Sequence, residues 1–175
     1  MLVNSQAIKG LPVICGRNGK KVGIVSDVQY TPGRKKIDGI IIQEQSHMYS
    51  SNYIPMEKIV TFGEAAVIVK EDCFKTKTEK GRITPIIGKT VMRADGYELG
   101  VISDIVFDSA DGWIVGFEIS KGFIDDLLDG RNLLYENTIS FVGDDVLVVS
   151  LEHDEDIQSS HGGLRNIFSN GYLKD

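Results

Sequence analysis

The sequence repeats itself at a spacing of 77 residues, and this repeat constrains the fold more than any other feature. GIVSDVQYT at Gly23–Thr31 returns as GVISDIVFD at Gly100–Asp108. Further matches at this spacing are Gly19 with Gly96, Tyr30 with Phe107, Ile37 with Ile114 and Gly39 with Gly116. Similarity of type and order over about 60 positions indicates an internal duplication.

The spacing then lengthens to 80 residues, for example from Ile59 to Ile139 and from Gly63 to Gly143. Phe62 aligns with Phe141 at a spacing of 79. The additional residues of the second copy fall within KGFIDDLLDGRN. Small insertions confined to loops are expected when two copies of one fold diverge.

Each copy is predicted to be a set of short β-strands. KVGIVSDVQY partly alternates between apolar and polar residues, and IDGIIIQ and WIVGFEIS are rich in β-branched and aromatic residues. Asn-Gly, Asp-Gly and Pro-Gly pairs mark the turns, and glycines within strands suggest the bends that small barrels need. We therefore expect an all-β fold of two tandem small β-barrels. Residues repeated for structural reasons are Gly23, Asp27, Gly39, Gly63, Gly100, Asp104, Gly116 and Gly143.

The expected domain boundaries follow from the repeat and from composition. The first barrel (the first copy) spans residues 1–72, a polar linker spans 73–84, the second barrel (the second copy) spans 85–151, and a flexible or partner-docking tail spans 152–175. Within the second copy, a short helical insertion would place Phe123, Leu127 and Leu128 on one apolar face. That face either covers a barrel end or docks a partner.

These residues resemble a known family. An Asn-Gly or Asp-Gly turn, the strand around Gly23 or Gly100 with its Asp, the segment around Gly39 or Gly116 and a final GDDVLVV are similar to the PRC-barrel domain. That barrel occurs in the photosynthetic reaction-centre H subunit and in the ribosome maturation factor of the small subunit. The resemblance covers about Ile8–Glu71 and Ile86–Leu151 and implies a fold more firmly than an activity. No window approaches the roughly 18 apolar residues of a membrane-spanning helix, so the role of the H subunit is not carried over. The role of the maturation factor is not carried over either, because its partner domain is not expected in this sequence.

Charge differs strongly between the two copies. Residues 1–80 hold 12 Lys and Arg against 8 Asp and Glu, a net charge of +4, whereas residues 81–175 hold 7 against 17, a net charge of −10. The basic residues of the first copy flank two turns; if both turns lie at one barrel end, they form a cationic patch for RNA, an anionic membrane or an acidic protein. The candidate cations are Arg17, Lys20, Lys21, Arg34, Lys35 and Lys36.

The sequence does not predict an active site. GRITPIIGKT encloses too many residues between its glycines for a phosphate-binding loop, and the three histidines have no ligand partners at metal-binding spacing. Asp27 and Asp104 are expected to accept hydrogen bonds from neighbouring turns. Cys15 and Cys73 are expected to be reduced thiols. We therefore expect no catalytic residues, no cofactor and no metal, while cation binding by the acidic clusters stays open.

The resulting prediction is a cytoplasmic, non-catalytic protein-interaction or assembly module. One alternative is an RNA- or ribosome-associated factor that binds through the basic turns of the first barrel. Another is a small-molecule binder that uses a cleft between the barrels. A protein partner is expected, RNA remains an option, and the opposite charges of the copies are compatible with a homo-oligomer.

Overall fold

A computed structural model of the chain describes residues 1–31, 33–43, 51–74, 86–121, 132–150 and 157–159. Within these ranges the chain is mainly β-strand and forms two sheets, which confirms the all-β class expected from the sequence. Alternate residues of KVGIVSDVQY are largely buried, because one face of this strand packs on the core while the other faces solvent.

The first sheet has six strands, all from the first copy. They are β2 Pro12–Cys15, β3 Lys21–Tyr30, β4 Ile37–Gln43, β5 Ser51–Pro55, β6 Ile59–Phe62 and β7 Val67–Val69. Their hydrogen-bonded order is β5-β4-β3-β2-β7-β6.

The second sheet has eight strands. They are β1 Leu2–Asn4, β8 Thr90–Arg93, β9 Glu98–Asp108, β10 Ile114–Ser120, β11 Asn132–Tyr135, β12 Ile139–Val142, β13 Val146–Val149 and β14 Ile157–Ser159. The order is β12-β13-β8-β9-β10-β11-β14, and β1 pairs with β9.

The two sheets have the same strand order. The sequence β5-β4-β3-β2-β7-β6 in the first corresponds to β11-β10-β9-β8-β13-β12 in the second. Each sheet has one described parallel pair, β2 with β7 in the first and β8 with β13 in the second, and these pairs are equivalent in the repeat. The other described pairs are antiparallel. The strand pairing therefore follows the internal repeat strand by strand.

In the ranges that the structure describes, helical structure is confined to short segments of three or four residues. The one α-helix in the described residues, α1, spans Ser5–Ile8. Three 3-10 helices span Met56–Lys58, Glu71–Phe74 and Glu136–Thr138. The first and third of these occupy equivalent positions and connect β5 to β6 and β11 to β12.

Strand register corrects one alignment made from the sequence. Phe62 and Val142 occupy the same position beside the last strand of their copies, at a spacing of 80 residues. Thr61 then corresponds to Phe141. The match of Phe62 with Phe141 is wrong by one residue, and a one-residue shift moves a side chain to the other face of the sheet. Phe62 is accordingly buried and Phe141 is exposed.

The N-terminal strand β1 crosses from the first copy to the sheet of the second. Leu2–Asn4 pairs antiparallel with the C-terminal end of β9, where Val3 lies opposite Phe107. The helix α1 follows and contacts both β9 and β3. The three residues of β1 therefore extend the second sheet, although in sequence they precede the first.

Buried apolar side chains of both copies form one connected cluster. The ring centroids of Phe62 and Phe107 lie 5.4 Å apart in an edge-to-face arrangement, and those of Tyr30 and Phe117 lie 6.0 Å apart. Each pair joins a residue of the first copy to a residue of the second. Such pairs stabilise a fold by about 0.5–1.5 kcal/mol beyond the burial of their area. The two copies thus share one hydrophobic core.

Strand pairing among the described residues closes neither sheet, because the first ends at β5 and β6 and the second at β12 and β14. Barrel closure stays a prediction. The predicted helical insertion, with Phe123, Leu127 and Leu128, lies outside the described residues, as do most of the linker and the tail. Two parts of these segments are described: Cys73 is buried within its 3-10 helix, and β14 pairs with β11.

Candidate functional site

The two basic turns predicted from the sequence lie at opposite ends of β3. Arg17 and Lys20 precede this strand of 10 residues, Lys21 is its first residue, and residues 34–36 follow it. A strand rises about 3.3 Å per residue, which separates the turns by about 30 Å. The structure therefore does not bring the six cations together into one patch.

The second basic turn, of which residues 33–36 are described, contacts the equivalent turn of the second copy, residues 110–113. Lys36 and Trp113 form an isolated antiparallel bridge, and Lys36 Nζ lies 5.5 Å from the centroid of the Trp113 ring. Lysine above an indole ring at this distance makes a cation–π contact. Lys36 and Trp113 are also equivalent residues of the repeat, so the two copies meet around a local two-fold axis.

Two backbone hydrogen bonds flank this bridge. The amide of Ile37 donates to the carbonyl oxygen of Gly112 at 2.9 Å, and the amide of Ile114 donates to the carbonyl oxygen of Lys35 at 2.8 Å. Ile37 and Ile114 are equivalent in the repeat, as are Lys35 and Gly112. Each copy therefore supplies one donor and one acceptor, and the backbone of both turns is used in joining the copies.

Side chains of the same turn pair with acids of the second copy. Lys35 Nζ lies 3.4 Å from Glu136 Oε2, and Lys36 Nζ lies 3.1 Å from Asp111 Oδ2. The opposite charges of the two copies thus meet within the molecule at this turn. Long-range attraction of an acidic partner by Lys35 and Lys36 is weakened accordingly.

Two other cations of the predicted patch are paired within the first copy. Arg34 lies 3.3 Å from Asp38, and Arg17 pairs with Glu71. Lys20 and Lys21 are exposed and make no ion pair with the described residues. The candidate cationic surface is thereby reduced to this one lysine pair at the start of β3.

The contact between the turns predicts a pH dependence at Asp111. Its pKa is lowered, first by the Trp113 amide, which donates to it at 3.0 Å, and then by the Lys36 ammonium. A depressed folded pKa contributes stability that is present above the unfolded pKa and lost as pH falls through the folded pKa. We expect Lys36→Met to raise the Asp111 pKa part of the way to its usual value, measured by carbon-13 NMR titration. Lys20→Met, the control, should leave it unchanged; an unaffected titration in Lys36→Met would show that Lys36 does not contact Asp111.

Asp104 joins the two copies from inside the protein. It is 2% exposed, and its Oδ1 accepts hydrogen bonds from Ser5 Oγ at 2.6 Å, the Gln6 amide at 3.0 Å and the Ile105 amide at 2.7 Å. Ser5 and Gln6 belong to α1 of the first copy. Hydrogen bonds to a carboxylate are about twice as strong as neutral ones, so this contact anchors the N-terminal segment to the second sheet.

Asp27, the equivalent residue of the first copy, has different partners. Its Oδ1 lies 3.0 Å from Lys9 Nζ and accepts the Val28 amide at 2.9 Å, and its side chain is 40% exposed. Both aspartates accept the amide of the residue that follows them. Asp104 in addition binds the other copy, whereas Asp27 stays within its own.

The repeated glycines allow neighbouring strands to approach closely. A Cβ atom at Gly23 would lie 2.7 Å from the carbonyl oxygen of Gln43, and Cβ atoms at Gly100 and Gly116 would overlap backbone atoms of the adjacent strand. Gly100 also has φ +136°, a value that residues other than glycine rarely adopt. The remaining repeated glycines, Gly39, Gly63 and Gly143, also lie close to carbonyl oxygens. These positions serve the architecture of the sheets.

An exposed aromatic residue that was not predicted as a site residue lies on the edge strand β12. Phe141 is 63% exposed, and its ring covers Gly143, where a Cβ atom would lie 3.1 Å from the ring carbon Cε1. The turn beyond is fixed by Lys89, which is 6% exposed and donates from Nζ to the carbonyl oxygens of Gly143, at 2.6 Å, and Asp144. The correct register of the repeat aligns Phe141 with Thr61. The sequence signal for this site is therefore a phenylalanine in the second copy where the first copy has a threonine.

The remaining candidate groups are buried or lie apart. Cys15 and Cys73 are free and buried, and burial is the main cause of a raised Cys73 pKa, with Cys15 and Asp72 adding to it. In the ranges that the structure describes, His, Cys, Asp and Glu form no group of three or more suited to a metal ion. In the same ranges, no helix has the length and apolarity needed to cross a membrane.

Comparison with known families identifies the second copy. Residues 79–155 match the PRC-barrel domain, so a PRC-barrel domain is present there. The match contains β8–β13 and therefore the Phe141 edge and Asp104. No curated protein matches the chain.

Proposed function

We propose that the protein is a non-catalytic protein-interaction or assembly module built from two duplicated PRC-type β-barrels. The PRC-barrel domain at residues 79–155 belongs to a non-enzymatic family of binding or assembly modules. The equal strand order of the first sheet supports a second barrel of the same type in residues 1–72. The shared core supports a single unit that presents the surfaces of both copies.

The observation that carries this proposal is that polar side chains of the repeat bind the two copies to each other. Asp104 binds Ser5, and Lys36 binds Asp111, so each holds one copy to the other. A catalytic acid or base needs access to substrate and a tunable proton. Groups engaged in this way stabilise a scaffold instead, and recognition is left to the outer strands and turns.

The geometry favours a protein partner over RNA. Nucleic-acid affinity depends on several cations aligned along the phosphate backbone. The basic turns are separated along β3, and Lys35 and Lys36 are paired with acids of the second copy. Of the six cations predicted from the sequence, Lys20 and Lys21 are the two that remain for an RNA-binding role.

The test is affinity purification of the full chain from its native cell, with mass spectrometry of bound protein and sequencing of bound RNA. We expect a protein partner that survives nuclease treatment and is retained equally by the Lys20→Glu, Lys21→Glu double variant. Recovery of RNA alone, lost in that double variant, would refute the proposal in favour of the RNA alternative. Recovery of no macromolecule would refute both.

A further inference from the structure

We propose that the outer edge of β12 is a docking site for an extended, cationic and apolar segment of a partner protein, which adds to the second sheet as a strand and packs an apolar side chain against Phe141. This inference rests on the proposed function and names the surface and the chemistry of the partner. Strand addition uses main-chain hydrogen bonds for affinity and side chains on one face for specificity.

The first step is the position of β12 in the sheet. It pairs with β13 on one side only, and no other described strand is hydrogen-bonded to it. Ile139, Phe141 and Val142 form the pairs with β13, with a register shift at Ser140. An edge strand presents unpaired backbone groups, which is the feature that an incoming strand needs.

The second step is the difference between the two copies at this edge. The equivalent strand β6 carries Val60 and Thr61 at the exposed positions where β12 carries Ser140 and Phe141. Thr61 shows that the strand geometry does not require an aromatic residue at this position. Phe141 therefore gives the second copy an exposed aromatic side chain that the first copy lacks at this edge, and aromatic residues are enriched among the side chains that contribute most to interface energies.

The third step is the rigidity of the anchor. Gly143 leaves room for the Phe141 ring, and Lys89 fixes the adjoining turn through the carbonyl oxygens of Gly143 and Asp144. An aromatic side chain loses little conformational entropy on binding when its surroundings are already ordered. Lys89 is directed at carbonyl oxygens inside the turn, so the side chains of Asp144 and Asp145 supply the outward charge.

The fourth step is charge complementarity. Asp144 and Asp145 are both exposed at the end of the hairpin that contains Phe141, and residues 81–175 carry a net charge of −10. A segment with Lys or Arg beside its apolar residues is attracted to this edge. A second β12 edge from another molecule would bring the same acidic turn, and RNA or an anionic membrane would bring like charge, so each is disfavoured.

The probe is a random heptapeptide library selected against the immobilised full chain, followed by fluorescence anisotropy with the best synthetic peptide. We expect selected peptides to alternate Lys or Arg with β-branched or aromatic residues. Phe141→Thr, which reproduces the residue of the first copy, should weaken binding at least about tenfold, because the anchor side chain is lost. Val60→Ser, which removes the exposed apolar residue of the other edge, is the matched control and should leave affinity unchanged.

The outcomes separate this inference from the proposed function. Selection of no peptide, of peptides without the cationic and apolar pattern, or of peptides that bind Phe141→Thr as well as the native chain would overturn the docking site. Binding seen only after removal of residues 160–175 would also overturn it, because the tail would then be the occupant. So would a native molecular mass that rises with protein concentration in the native chain but not in Phe141→Thr, because a second copy would then be the occupant. If the native-cell partner is retained by Phe141→Thr, the module remains and the docking site is refuted; if no protein partner is found, the proposed function fails independently.

Discussion

Asp104→Ala is expected to lower the free energy of unfolding by about 3 kcal/mol, whereas Asp27→Ala should lower it by about 1 kcal/mol or less. The two residues are equivalent in the repeat and chemically identical. They differ in their environment, because the Asp104 carboxylate is buried and joins the two copies, and the Asp27 carboxylate is partly exposed beside Lys9. The comparison therefore measures what the contact between copies contributes.

The physical reason for the large effect at Asp104 is the set of donors that it leaves behind. Ser5 Oγ and the amides of Gln6 and Ile105 would lose their shared acceptor. A buried donor without a partner costs roughly 1–3 kcal/mol. The Ile105 amide also lies 3.4 Å from Ser5 Oγ, so part of its hydrogen bonding can be kept. Alanine at position 27 leaves Lys9 free to be solvated.

The measurement is equilibrium urea denaturation of the native chain, Asp104→Ala and Asp27→Ala, followed by fluorescence of Trp113. Ser5→Ala is the second control: it removes one donor and leaves Asp104 bound to two amides, so we expect a loss of about 1 kcal/mol. Equal losses at positions 27 and 104 would show that the α1 contact does not hold the copies together. A change in the slope of the transition would show that the substitution alters the compactness of the unfolded or folded state or that the unfolding is no longer two-state.

The elements that the sequence predicted well are those governed by local chemistry. Strand positions followed from β-branched and aromatic content, and turns followed from Asn18-Gly19 and Asp111-Gly112. The duplication predicted two copies of one fold, and the strand order is the same in the two sheets. These features depend on residues close together in the chain, or on a pattern that occurs twice.

The crossing of β1 could not be predicted from its residues. LVN holds two apolar residues followed by a polar asparagine, and nothing in three residues distinguishes pairing with β3 from pairing with β9. The choice depends on tertiary contacts, of which the bond from Ser5 to Asp104 is the most specific. Contacts across about 100 residues carry no local signal, so the sequence alone predicts the N-terminal segment to belong to the first barrel.

The expectation that both basic turns lie at one barrel end fails for a different reason, because the sequence itself argues against it. Arg17 and Lys36 flank a single predicted strand, and the two ends of a strand cannot share one end of a barrel. The acids opposite Lys35 and Lys36 were not predictable, since Asp111 and Glu136 reach them only when the copies pack. The alignment of Phe141 with Phe62 predicts equivalent positions for the two rings, whereas Phe62 is buried and Phe141 is exposed.

Phe107→Ala is expected to lower the free energy of unfolding by about 4 kcal/mol and to destabilise both copies together. Phe107 belongs to the second copy, is fully buried and packs edge-to-face on Phe62 of the first. A cavity at this contact removes packing from both sheets at once. Because the hydrophobic cluster is continuous, the copies should unfold as one cooperative unit.

The measurement is native-state hydrogen exchange, read at the amides of Ile40 in β4 and Ile105 in β9. Cooperative copies predict that Phe107→Ala lowers protection at both amides by the same free energy, whereas independent barrels predict a loss at Ile105 alone. A double-mutant cycle with Phe62→Ala should give a coupling of about 1 kcal/mol, since the two rings form one contact.

Phe141→Ala is the control: its exposed ring lies outside the shared core, so it should cost under about 1 kcal/mol and leave protection at Ile40 unchanged. A loss at Ile40 equal to that caused by Phe107→Ala would mean that the β12 edge belongs to the core and is not a free docking surface.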